Sequence, residues 1–139
     1  MKLFLIGAIA LFLGFSGIAQ TAVPQAVKIT FMQKFPNAQK VTWDKENATE
    51  YEAGFVLNGV KMSSNINTEG KWLETETTVK ISDLPENVKS AILTKYPTAK
   101  ITGVSKIETA NDGIQYEADI KTGLKKLEVL FSENGKFVK

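Results

Sequence analysis

The chain has 139 residues and a net charge of +2, and it contains no cysteine and no histidine. The lack of cysteine excludes disulfides and thiolate metal sites, and the lack of histidine removes the commonest general base. All 17 basic residues are lysines, interleaved with 15 carboxylates, whereas a nucleic-acid-binding protein typically concentrates positive charge and uses arginine. We therefore expect a domain stabilised by packing alone, with no nucleic-acid partner.

The N-terminus has the pattern of an export signal. Lys2 precedes an apolar run over residues 3–15, and the small residues Ser16-Gly17-Ile18-Ala19 follow it. The apolar run is shorter than the roughly 20 residues that a membrane-spanning helix needs. We predict a signal peptide over residues 1–19, cleaved after Ala19, a single domain over residues 20–139 with no membrane span, and a periplasmic or secreted location.

The first element predicted after the leader is a helix that begins at Pro24. Proline is tolerated at the start of a helix because the first turn needs no N–H donor there. Val27, Phe31 and Phe35 follow at intervals of four and form one apolar stripe. Pro36 cannot continue the helix, so the helix ends before it.

About four strands are predicted after this helix, because the period of the apolar residues changes to two. Asn58-Gly59 indicates a two-residue hairpin, since both residues accept a positive φ. The inward-facing residues are, strand by strand, Val41 and Trp43, then Tyr51, Ala53, Phe55 and Leu57, then Val60, Met62 and Ile66, with a fourth strand starting at Trp72.

The second half of the chain repeats this series. A helix is predicted from Pro85 to Tyr96, closed by Pro97, with Val88 and Ile92 on its apolar face. A strand follows over residues 101–107. The inward-facing residues of the next two strands are Tyr116, Ala118 and Ile120, then Leu127 and Phe131, and Phe137 begins a short last strand.

The two halves are an internal duplication. Pro85 follows Pro24 by 61 positions, and Tyr116-Glu117-Ala118 follows Tyr51-Glu52-Ala53 by 65. The predicted fold class is α+β, built of two repeats over residues 23–77 and 84–139, each a helix plus about four antiparallel strands. We expect one shared antiparallel sheet, both helices on one of its faces, one shared core, and an opposite face that is wet.

The two tryptophans have different expected roles. Trp43 is predicted to be a core residue because Val41 and Val104 fit the same inward row. Trp72 remains open between a core position and a contact position. Strict alternation would place Trp72 on the same side as Glu74 and Glu76.

The sequence carries no complete catalytic or metal-binding motif. No serine has a lysine three residues later, so a Ser-x-x-Lys pair is absent. Glu74 and Glu76 lie roughly 7 Å apart on one strand, a separation seen in glycosidases, but carboxylates on one strand usually mark a solvated face. Residues 44–47 and 111–113 contain calcium-ligand types without the closing glutamate of a calcium loop. We expect no catalytic residue, no metal site and no cofactor.

The motifs together resemble the PepSY-like, beta-lactamase-inhibitor-like family of exported bacterial proteins, over essentially the whole chain after the leader. The resemblance implies a tandem repeat in the periplasm or outside the cell. Some relatives are inhibitors that dock the open face of the sheet on an enzyme, and the family offers no catalytic or metal residues to map. The matching motifs are Val23-Pro24, Phe35-Pro36-Asn37-Ala38, Tyr51-Glu52-Ala53, the segment 70–75, Leu84-Pro85 with Val88, and Tyr96-Pro97.

The leading hypothesis is a non-catalytic binding or inhibitor-type module that engages an envelope or extracellular protein or peptide through its open sheet face. One alternative is a small-molecule or ion-sensing envelope protein with a pocket between helices and sheet, and a hydrolase ranks last. The expected contact residues on the open face are Glu52, Val56, Lys61, Ser63, Asn65, Glu117, Asp119, Lys121, Lys126 and Glu128.

Overall fold

A computed structural model describes residues 22–139, and the predicted signal peptide lies outside these residues. These residues form two α-helices, seven strands and one short 3₁₀ turn. In chain order the elements are α1 (Gln25–Lys34), β1 (Gln39–Lys45), β2 (Glu50–Leu57), β3 (Val60–Asn67), β4 (Trp72–Val79), the 3₁₀ turn (Ile81–Asp83), α2 (Glu86–Lys95), β5 (Lys100–Thr109), β6 (Gly113–Thr122) and β7 (Lys125–Ser132).

The seven strands form one antiparallel sheet in the order β1 to β7, so each strand pairs with its neighbours in sequence. The predicted hairpin at Asn58-Gly59 joins β2 to β3, and both residues have positive φ values of 52° and 81°. Phe137 forms an isolated bridge to Phe131 in place of a full last strand. The predicted α+β fold with a single shared sheet is confirmed.

Both helices pack on one face of the sheet, as predicted. The stripe of α1 buries Val27 and Phe31 against β2 and β3, and the stripe of α2 buries Val88 and Ile92 against β6 and β7. Each helix is one residue shorter at either end than its flanking prolines suggested, because the prolines and the aromatic Phe35 or Tyr96 serve as caps.

The prediction of one shared core is wrong, because the buried apolar residues form two clusters, one under each helix. The reason lies in the central strands. On the helix side β4 carries Thr75 and Thr77, and these pair with Glu108 and Lys106 of β5. Since polar side chains cannot join two apolar clusters cheaply, the two cores meet only through the backbone of the sheet.

Two register shifts move residues away from the faces that strict alternation gave them. Val41 is exposed, because β1 is irregular between Gln39 and Thr42 and Lys40 has a φ of 53°. A second shift pairs Ile66 directly with Trp72, which brings Trp72 to the helix side rather than beside Glu74. Such bulges reverse the side on which the following residues lie.

Both tryptophans consequently belong to the first core. Trp43 packs edge-to-face on Phe31, with ring centroids 5.2 Å apart. Trp72 is half-buried against the same cluster, and its Nε1 donates a hydrogen bond of 2.9 Å to the Thr75 hydroxyl. The core role predicted for Trp43 is confirmed, and the open choice for Trp72 resolves to core.

Candidate functional site: the open face of the sheet

The sheet register puts all ten predicted contact residues on the face opposite the helices. They fall into two groups, one on β2 and β3 and the other on β6 and β7. In the first group Glu52 pairs with Asn65 and Val56 with Lys61, and Ser63 lies on the same side of β3. In the second, Asp119 pairs with Glu128 and Lys121 with Lys126, beside Glu117.

Strands β4 and β5 lie between these groups and supply the centre of the face. Glu74 pairs across with Asn65, and Glu76 pairs with Ser63 on one side and Ile107 on the other. In the neighbouring row, Ser105 pairs with Glu117 of β6. Sequence reasoning assigned Glu74 and Glu76 to a solvated strand face and did not select them as contact residues.

The centre of this face is buried, so the expectation of a uniformly wet face is wrong there. Glu76 and Glu117 are only 8% and 6% exposed, and Ile107 and Leu130 are 2% exposed. Neither Ile107 nor Leu130 belongs to the two clusters beneath the helices. A signal for Leu130 was present, because Val129-Leu130-Phe131 is an unbroken apolar run of the kind found in strands buried on both faces.

Among residues 22–139, Glu76 and Glu117 each keep one oxygen without a hydrogen-bond partner. These oxygens, Oε1 of Glu76 and Oε2 of Glu117, are buried. Burial, followed by the charges of Glu76, Glu128 and Asp119, raises the pKa of Glu117 to about 8, although the charge of Lys139 opposes this shift. Burial also raises the pKa of Glu76, although a hydrogen bond from Ser105 opposes this shift.

The first repeat has a counterpart to Glu117 in Glu52, which occupies the same place in the Tyr-Glu-Ala motif. Burial raises the pKa of Glu52 to about 7, helped by the nearby carboxylates of Glu46, Glu76, Asp44 and Glu74. The pKa of Glu74 is likewise raised, mainly by burial and then by Glu76. The open face thus holds a chain of carboxylates, Glu52, Glu74, Glu76 and Glu117, that runs from one repeat to the other.

Lysines of the open face lie at one end of the sheet. Lys61 follows the β2–β3 hairpin, and Lys121 and Lys126 flank the β6–β7 hairpin, which lies at the same end. Within residues 22–139 the one ion pair joins Lys106 and Glu108 on the helix side. In the described part of the chain, no lysine therefore neutralises the central carboxylates through an ion pair.

A surface depression of about 850 Å³ lies over β5, β6 and β7 on this face. Its walls include Ser105, Glu117 and Asp119 at the acidic centre and Lys121 and Lys126 at the basic end. The second hypothesis required a pocket between helices and sheet. That layer is instead where the two apolar clusters pack.

The carboxyl groups of the described face determine the chemistry that it can offer. No group of three or more acidic residues within residues 22–139 is arranged to hold a metal ion. No helix in this range is long and apolar enough to cross a membrane. Carboxyls with raised pKa can donate a hydrogen bond when protonated or accept a cation when ionised, so the centre is suited to polar recognition.

A family model described as "Putative beta-lactamase-inhibitor-like, PepSY-like" matches residues 15–63 and 58–139. The chain belongs to this family. Two matches along one chain fit an internal repeat, and the predicted family resemblance is confirmed. No curated protein is significantly similar to the chain.

Solved structures share this fold at low sequence identity. A periplasmic protein of Bacteroides eggerthii has a TM-score of 0.75 at 18% identity, with 86% of this chain and 88% of that chain covered. A BLIP-like protein of Bacteroides fragilis has a TM-score of 0.71 at 24% identity, with 86% and 85% covered. A DUF2874 family protein of Bacteroides ovatus has a TM-score of 0.73 at 23% identity, with 86% of each chain covered. At these identities the likeness establishes the fold alone.

Proposed function

We propose that this protein is an exported, non-catalytic binding module that engages a protein or peptide of the cell envelope through the open face of its sheet. The observation that carries the proposal is the centre of that face, where one oxygen of Glu76 and one of Glu117 are buried without a hydrogen-bond donor among the described residues. Buried polar groups are nearly always hydrogen-bonded, so such oxygens indicate a surface that a partner completes.

Two further observations support the proposal. The family is described by likeness to an inhibitor rather than to an enzyme. The B. eggerthii neighbour is described as a putative periplasmic protein, which agrees with the export signal predicted over residues 1–19. A catalytic role would require a nucleophile and a base in mutual reach, and the sequence contains neither histidine nor cysteine.

The test is capture of a partner from envelope extract with two matched variants. Lys61→Glu/Lys121→Glu/Lys126→Glu reverses the basic end of the open face. Lys28→Glu/Lys45→Glu/Lys89→Glu reverses three exposed lysines on the helix side of the sheet, two on the helices and Lys45 opposite Tyr51. We expect the first variant to lose the partner and the second to retain it, with little change in thermal stability, because exposed substitutions contribute little to folding.

Equal capture by wild type and both variants would contradict the use of this face. A purified protein that turns over a substrate would contradict the non-catalytic assignment. Stoichiometric binding, measured by titration calorimetry with the captured partner, is the expected mode of action.

A further inference from the structure

The carboxylates of the open face form a spaced series rather than one tight group. Glu52, Glu76 and Glu117 lie on alternate strands β2, β4 and β6. Alternate strands of a sheet are about 9–10 Å apart, so each carboxylate is a separate anchoring point. Glu74 lies next to Glu76 on the same side of β4 and fills the interval toward Glu52.

Two of these anchors are incomplete within the described residues. Glu76 and Glu117 are more than nine-tenths buried, and each has an oxygen that accepts no hydrogen bond. A buried polar atom without a partner is unfavourable, and buried acceptors in proteins are nearly always satisfied. The geometry therefore lacks a donor at both places.

The spacing decides what kind of donor fits. A bare metal ion needs several oxygen ligands within about 2.0–2.6 Å of one point, and these carboxylates are spread over several strands. Lysine and arginine carry their donors on long side chains that can reach separate carboxylates. A segment in the polyproline II conformation has three residues per turn and a rise of about 3.1 Å per residue, so every third side chain lies on the same side at intervals of about 9 Å, close to the interval between alternate strands.

We propose, on the basis of the proposed function, that the partner is a basic segment whose lysine or arginine side chains insert between Glu76 and Glu117 and beside Glu52. The depression over β5, β6 and β7 has Ser105, Glu117 and Asp119 in its wall and gives such a side chain access to Glu117. The lysines at the hairpin end favour carboxylates of the partner there and so fix which way the segment lies.

This recognition is linked to protons. The groups that face Glu117 are Glu76, Glu128, Asp119 and the chain-terminal Lys139, and those that face Glu76 are Ser105, Glu128 and Asp119. A cation placed between the two carboxyls favours their charged forms, so binding lowers both pKa values and releases protons. The affinity for a basic segment therefore rises as the pH increases toward about 8, the pKa of Glu117 in the free protein.

A hexa-arginine peptide is the probe, and a hexa-citrulline peptide of the same shape without charge is its control. We expect the full-length exported protein to bind hexa-arginine and not hexa-citrulline. Glu76→Gln/Glu117→Gln should weaken binding by about tenfold or more, because each glutamine removes one charge from a buried pair. The control Glu69→Gln/Glu86→Gln removes the same charge from exposed positions outside the face and should change binding less than twofold, about the effect of screened surface charge.

Two readouts keep the test independent of folding of the variants. Calorimetry in two buffers of different ionisation enthalpy should show proton release on binding at pH 7. Carbon-13 NMR of the wild-type glutamate carboxyls should show that the pKa of Glu117 falls when hexa-arginine is present. No binding, equal binding by both double variants, or an unchanged Glu117 pKa would overturn the inference.

The outcome is separable from that of the proposed function. A captured envelope partner that is lost in the lysine triple variant but kept by Glu76→Gln/Glu117→Gln would remove the basic-segment inference and leave the binding face intact. Saturable Ca²⁺ binding that the Glu76→Gln/Glu117→Gln variant abolishes, together with no response to hexa-arginine, would replace the segment by a metal ion.

Discussion

The two repeats have the same fold but fill their cores differently. The first core is aromatic, with Phe31 in contact with Phe35, Trp43 and Phe55 at centroid distances of 5.1 to 5.5 Å. The second core is mainly aliphatic. Its buried members include Val88, Ile92, Val104, Ile120 and Val129. Ile92 occupies in the second repeat the place of Phe31 in the first, and Ile120 occupies the place of Phe55. The pattern of apolar residues and their total side-chain volume therefore determine the fold more than any particular side chain does.

In both repeats the helix makes a close contact with the turn that precedes the last strand. A glycine with positive φ lies under the first turn of the helix in both, Gly70 beneath Ala26 and Gly135 beneath Asn87. Each helix also bonds to this turn. The Thr30 hydroxyl donates to the Gly70 carbonyl in the first repeat, and the Asn87 amide donates to the Glu133 carbonyl in the second.

The largest expected effect comes from emptying each core. Phe31→Ala should lower the free energy of unfolding by about 3–5 kcal/mol and Ile92→Ala by about 2–5 kcal/mol, because each leaves a cavity. The repeat-equivalent surface positions Met32 and Leu93 provide controls, and Met32→Ala and Leu93→Ala should each change it by less than about 0.5 kcal/mol. Denaturant unfolding measures all four.

The double variant Phe31→Ala/Ile92→Ala sharpens the same comparison. Since the two clusters share no buried residue, the two losses should add within about 0.5 kcal/mol. A coupling well above this value would show that the clusters behave as one core after all.

The glycine pair should give the next largest effect. A Cβ at Gly70 would lie 2.9 Å from the Ala26 carbonyl oxygen, and a Cβ at Gly135 would lie 3.1 Å from that of Asn87. Alanine at either site should therefore destabilise by about 1–3 kcal/mol, with Gly70→Ala the worse, because backbone strain adds to the clash. Gly123→Ala, with φ +60° and open space, isolates the strain alone. Equal losses at all three glycines would exclude a role for helix contact.

The carboxyls of Glu52 and Glu117, which occupy equivalent places in the two repeats, should each make the stability of the protein fall as pH rises. Folding raises both pKa values, so the folded state binds the proton more tightly and stability falls as pH rises above the ordinary value of 4.5. The loss should continue to about pH 7 for Glu52 and to about pH 8 for Glu117. We expect Glu117→Gln to flatten the fall in thermal midpoint up to pH 8 and Glu52→Gln only up to pH 7.

Glu69→Gln, an exposed position, is the control for this titration and should leave the pH profile unchanged. A wild-type midpoint that rises between pH 5 and pH 8 would have the wrong sign and would contradict burial of these carboxyls.

The smallest expected effect concerns a lysine that covers an aromatic ring in each repeat. Lys34 Nζ lies 4.1 Å from the Trp72 ring centroid, and Lys95 Nζ lies 4.1 Å from that of Phe137. Lys34→Met should destabilise by about 0.5–1 kcal/mol and Lys95→Met by less, because tryptophan attracts cations best. Lys28→Met, on the exposed surface of α1, is the control. A larger loss of stability in Lys95→Met than in Lys34→Met would contradict the expected order of the two cation–ring contacts.

Much of the fold was readable from sequence because period, prolines and turn residues agreed. Tyr51, Ala53 and Phe55 lie inward as their alternation predicts, and Asn58-Gly59 turns as its residues require. Strict alternation predicted the wrong face of the sheet for Val41 and Trp72, because a bulge adds one residue without a local sequence signal. The prediction of one shared core was wrong for a different reason. The helix-side residues of β4 and β5 could be identified as polar only once the strand pairing was known.

The candidate site was less predictable than the fold. Its ten outward residues follow from alternation, but the buried centre depends on which strands become neighbours. Glu76 and Glu117 lie 41 positions apart in sequence and interact only because β4 and β6 flank β5. Electrostatic coupling across a sheet therefore cannot be derived from local spacing.

The order of strands in the sheet also bears on how the chain folds. Every strand pairs with the next one in sequence, and the longest connection, between β4 and β5, spans only the 3₁₀ turn and α2. Short loop closures carry a small entropic penalty, and chains dominated by local contacts fold faster than β-proteins with distant pairings. The first repeat contains all of β1 to β4 and its own core, so it can begin to fold before the second repeat is available.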